Sequence, residues 1–108
     1  MKPQANQTIS EKVIRWFRMK YYLKCFYCGV SLSTHRNGGR FPDLKTTDHV
    51  YPLSRGGKNG KGNKVPACLN CNQAKKNMTV DLFRKVLTSR NEGKFFGEKR
   101  FAERLSAQ

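Results

Sequence analysis

Apolar residues recur at helical spacing from Ile9 onward. Ile9, Val13, Trp16, Phe17 and Tyr21 share one stripe, with Arg15, Arg18 and Lys20 largely off it. Thr8 and Glu11, in "TISE", have the spacing of a capping box. The pattern predicts a helix over 9–23 whose aromatics belong to a core, with residues 1–7 disordered ahead of it. "VSLSTHRNGGRFPDL" predicts a short strand and a Gly-rich turn. "KTTDHVYP" is strand-like, and Pro52 ends it. "LSRGGKNGKGN" reads as a flexible basic loop, and "VPACLNCNQAKKN" as a tight knuckle running into a short helix. In "TVDLFRKVLTSR", Thr79 is placed to cap a longer helix with Val80, Phe83, Val86 and Leu87 facing inward. A loop and a final short helix follow. Nothing in the pattern divides the 108 residues, so a single domain over 1–108 is expected.

Composition changes this picture in two ways. Only 37% of the residues are hydrophobic, so the core is small and calls for a staple. Lys and Arg number 22 against 7 acids, a formal charge of +15. Self-repulsion of that size opposes compactness and makes sense opposite a polyanion, with nucleic acid the leading partner. No apolar run approaches membrane-spanning length, and the first ten residues lack the apolar region of a signal peptide. A cytoplasmic protein with no membrane partner is expected.

The staple is supplied by four cysteines, Cys25, Cys28, Cys68 and Cys71, arranged as two CxxC pairs. Each pair can place two thiolates on one metal, and two pairs close a tetrahedral shell. Such a shell leaves no open position, so one structural Zn2+ per chain is the reading the spacing favours. Iron in the same ligand set, or two disulfides, are the other uses of this pattern.

Between and just after the knuckles lie an acid–His pair, a proline, a Gly-rich turn and two asparagines. The run "TTDHVYPLSRGGKNGKGNKVPACLNCNQAKK" resembles the motif of the HNH endonuclease family, and with both CxxC pairs the resemblance covers residues 25–77. It implies an α+β fold: a small ββα-metal (His-Me finger) core stapled by the four-cysteine zinc site and flanked by N-terminal and C-terminal helices. It further implies that His49 is the general base and that Asp48 and Asn72 hold a catalytic divalent metal. Asn63 holds the loop and helps orient the histidine. Asn72 stands where the name-giving pattern often has His, and two oxygen donors favour Mg2+ or Mn2+.

On a helix starting near Asn72, Lys75 and Lys76 share its face, which would set them beside a bound phosphate. Arg55 in the glycine turn is a third candidate for nucleic-acid contact. In a regular strand Asp48 and His49 point to opposite faces, so one site can use both only if the strand ends or bulges there. The expected function is metal-dependent hydrolysis of phosphodiester bonds in DNA, duplex DNA first, in a phage or bacterial setting. With about 55 residues outside the motif, recognition is expected to be loose, shape-based or supplied by a protein partner. A zinc-knuckle module that binds nucleic acid without chemistry is the alternative, and an RNA-directed nuclease shares the same site.

Overall fold

The computed structural model describes residues 9–34, 41–91 and 94–107. It is an α+β fold: helix α1 (Glu11–Lys20), strands β1 (Lys45–His49) and β2 (Lys64–Cys68), then helices α2 (Leu69–Lys75), α3 (Val80–Asn91) and α4 (Phe96–Ser106). The strands pair antiparallel, with Lys45 opposite Cys68, Asp48 opposite Val65 and His49 opposite Lys64. Single turns of 3-10 helix, Leu53–Arg55 and Lys61–Asn63, interrupt the β1–β2 connection that was expected to be a flexible loop.

α1 is shorter than the predicted 9–23. Ser10 caps it through a bond from the Val13 N–H to Ser10 Oγ at 3.3 Å, and Thr8, expected to open the capping box, lies outside the described residues. Ile14 and Phe17 are its buried residues. Thr79 caps α3 as predicted, with the Leu82 N–H 3.2 Å from Thr79 Oγ1. The inward face of α3 differs by one position from the prediction. Val86 is 55% exposed, whereas Arg84 is only 7% exposed. Glu98 makes this arrangement affordable: its two carboxylate oxygens accept from Arg84 Nη1 and Nη2 at 2.6 and 2.7 Å. A paired guanidinium can be buried where a lone one cannot.

The core is aromatic. Phe17, Phe26, Tyr27, Phe83 and Phe95 are fully or almost fully buried, and most of their ring pairs meet edge to face, the arrangement the ring quadrupole favours. α4 closes this core from the far end of the chain. Its first backbone N–H groups bond the first knuckle, Phe96 N to Tyr27 O at 3.1 Å and Gly97 N to Phe26 O at 2.8 Å. Gly97 is required there, because a Cβ would lie 2.2 Å from the Phe26 ring. No helix of the described residues is long and apolar enough to cross a membrane.

Candidate active site and metal centre

Two turns build the four-cysteine cluster. The first is pinned by Cys25 N to Val30 O and Gly29 N to Cys25 O, both 2.9 Å. Gly29 has φ +83°, a conformation that suits glycine. The second begins as β2 ends, with Cys68 capping α2 through a bond from the Cys71 N–H to Cys68 Sγ at 3.3 Å. Phe26 N donates to Pro66 O at 2.9 Å and locks one knuckle to the strand that leads into the other. All four Sγ atoms lie within 4.8 Å of one another. A tetrahedron with about 2.3 Å metal–sulfur bonds needs sulfurs about 3.8 Å apart, and Cys28 and Cys68 Sγ are 3.8 Å apart. The cluster can hold a metal ion, and its donors are consistent with zinc. Hydrogen bonds from Cys25 and Cys71 pull the Cys28 thiol down to about 4, while those with Cys25 and Cys28 push Cys71 up.

The second centre lies where β1 meets α2. The strand stays regular to His49, its last residue. Thr46 and Asp48, two residues apart, both contact α2. Asn72 Nδ2 donates to Thr46 Oγ1 at 3.0 Å and lies 3.4 Å from Thr47 O. Asp48 is 5% exposed; its Oδ2 accepts from Tyr27 Oη at 2.5 Å and lies 3.1 Å from Lys75 Nζ. Burial first, and Asp48 second, raise Tyr27 well above the usual phenol range, so it stays a donor. His49 turns the other way and has a different partner, its Nε2 lying 2.8 Å from Asn59 Oδ1. Three atoms have no hydrogen-bond partner among the described residues: Asp48 Oδ1, Asn72 Oδ1 and His49 Nδ1.

Asn63 is buried beneath the connecting loop. Its Oδ1 accepts from Tyr51 N at 2.8 Å, and its Nδ2 donates to Tyr51 O at 2.9 Å and Lys58 O at 2.7 Å. Gly57 completes the fastening, since a Cβ there would fall 1.7 Å from Tyr51 O. Arg55 is exposed, and its Nε donates to Asn77 O at 2.6 Å. Lys76 is exposed at the end of α2, at φ +50°.

Lys75 corrects the expectation that it meets a phosphate. It does share a face with Asn72, but that face packs on β1 and the side chain is 0% exposed. The ammonium is taken up internally by Asp48 and by His49 O at 3.0 Å. Removing one partner of a buried pair costs about 3–5 kcal/mol. Lys75→Met is therefore expected to lower unfolding stability by that much in urea titration, whereas Arg15→Met, which breaks an exposed pair with Glu11, should leave the midpoint almost unmoved. A Lys75→Met midpoint within error of the parent would mean that the pair contributes nothing net.

The family model for HNH endonuclease matches residues 25–78, half of the 108-residue chain. The chain belongs to the HNH endonuclease family. A relative, the SPbeta prophage-derived putative HNH endonuclease YoqL of Bacillus subtilis (strain 168), is 30% identical over 64 residues, which are 57% of this chain and 28% of that protein. Membership supports nuclease activity in general. Beside the HNH motif residues, the site includes two that the sequence reading passed over. Tyr27 lies between the first two cysteines and Asn59 in the basic Gly-rich loop. Neither carries a sequence signal of its own, because each gains its partner from a segment at least ten positions away.

Proposed function

We propose that this HNH protein hydrolyses phosphodiester bonds of duplex DNA, with His49 as general base and a divalent cation at Asp48 and Asn72. The observation that carries the reading is that Asp48 Oδ1 and Asn72 Oδ1, where β1 meets α2, and Nδ1 of His49, the last residue of β1, have no hydrogen-bond partner among the described residues. Two are hard oxygen donors suited to Mg2+ or Mn2+. A cation held there supplies charge stabilisation to the phosphate oxygens of the transition state. His49 accepts the proton of the attacking water at Nδ1 while the water oxygen bonds to phosphorus and the sugar oxygen departs. A neutral imidazole suits this at neutral pH. Tyr27 and Lys75 hold Asp48 by one oxygen and leave the other open. Zinc in the four-cysteine shell is structural.

The formal charge of +15 supplies attraction to the polyanion, with Arg55 and Lys76 as phosphate contacts. Because the chain spans 28% of its prophage-derived relative, the phage or bacterial cytoplasmic setting and any specificity-giving partner protein belong to the proposal too.

The test is nicking of supercoiled plasmid beside single-stranded DNA and RNA, after chelation mild enough that elemental analysis still finds the zinc. Mg2+ or Mn2+ should restore cleavage and Ni2+ or Zn2+ should not. Asn72→Ala should lose about 10²-fold or more, since one protein ligand remains. Chelator-resistant nicking would remove the cation from the mechanism, and faster cleavage of RNA would replace the substrate.

A further inference from the structure

We propose that Asn59 is the positioning residue of His49, holding the ring as the Nε2–H tautomer so that Nδ1 is the atom that takes the proton. This rests on the reading of His49 as the base. The family pattern leads one to expect that Asn63 orients the histidine. Here Asn63 is otherwise engaged. Both hydrogens of its amide nitrogen go to carbonyls of the loop, Tyr51 O and Lys58 O, and its oxygen takes the Tyr51 N–H. The side chain that reaches the imidazole is Asn59, with Oδ1 2.8 Å from Nε2.

The two asparagines divide the work. Asn63 grips the carbonyl of Lys58, the residue immediately before Asn59, and so fixes the backbone from which Asn59 projects. Its influence on the ring passes through that loop. Asn59 then makes the contact. An amide oxygen can only accept, so the nitrogen facing it must carry the proton. The opposite nitrogen is left with a lone pair and no partner among the described residues. A partner on one ring nitrogen sets both the tautomer and the ring orientation. An amide does so without placing negative charge beside an incoming phosphate.

The chain has two histidines, so a His35→Gln background isolates the His49 ring signals. Long-range proton–nitrogen NMR of the neutral ring should show Nε2 protonated and Nδ1 bare. In Asn59→Leu, which keeps the bulk and removes the acceptor, the ring should become a tautomer mixture. Its kcat for plasmid nicking should fall about 10- to 100-fold, the range for partners that orient a functional imidazole, with KM unchanged. Asn59→Asp, which keeps an acceptor oxygen, should restore the Nε2–H form and most of kcat while raising KM for DNA. A protonated Nδ1 in the parent overturns the proposal. So does an Asn59→Leu variant with the parent's tautomer and kcat while His49→Ala is inactive; that result leaves the base assignment standing. Undiminished nicking by His49→Ala overturns the base assignment itself, and the positioning role with it.

Discussion

Cys68→Ser will hold no zinc and will not fold. Structural zinc sites of this kind contribute about 10–16 kcal/mol of apparent binding energy, while a domain of this size is stable by only about 5–15 kcal/mol in total. Loss of the metal therefore removes as much as the whole margin. The choice of serine isolates the cause. Cys68 also caps α2, and serine is a good cap, so the helix start survives the substitution and the shell does not. Elemental analysis, far-UV circular dichroism and urea titration on the reduced protein make the measurement. A Cys68→Ser protein with the parent's midpoint would show that the core stands without the metal.

His49→Ala will keep its fold, its zinc and its affinity for DNA, and will lose about 10²–10⁴-fold in cleavage, the usual worth of a general base. The structure explains why so little else should change. The imidazole is half-buried at the end of β1, outside the aromatic core, and its one side-chain partner among the described residues is the exposed Asn59. The His49 backbone pairs with Lys64 in the sheet and its carbonyl receives Lys75, and alanine retains both. Single-turnover nicking with matched zinc content and a filter-binding curve for the same plasmid decide the matter. Turnover near the parent's would place the base elsewhere.

Features that depend on neighbours in the chain were legible. Helical spacing located α1 and α3, the CxxC spacing foretold a cluster, and the motif run identified the family. Features that depend on distant partners were not. Lys75 read as a surface cation because its acid lies 27 positions earlier, on β1. Arg84 was absent from the predicted inward face of α3 because Glu98, on another helix, makes its burial possible. In both cases a charge gained its place from a contact that no local window contains.

The closure of the first knuckle by α4 sets an order of events during synthesis. A nascent chain emerging from the ribosome N-terminus first has displayed Cys25 to Cys71, and every residue of the candidate site, before Phe95 and Gly97 exist. Until those residues arrive, Phe26, Tyr27 and Phe83 lack their cover, and the tyrosine that grips Asp48 stands on an open core. Completion of the aromatic core therefore waits on α4, although all four cysteines and the whole HNH motif precede it in the chain.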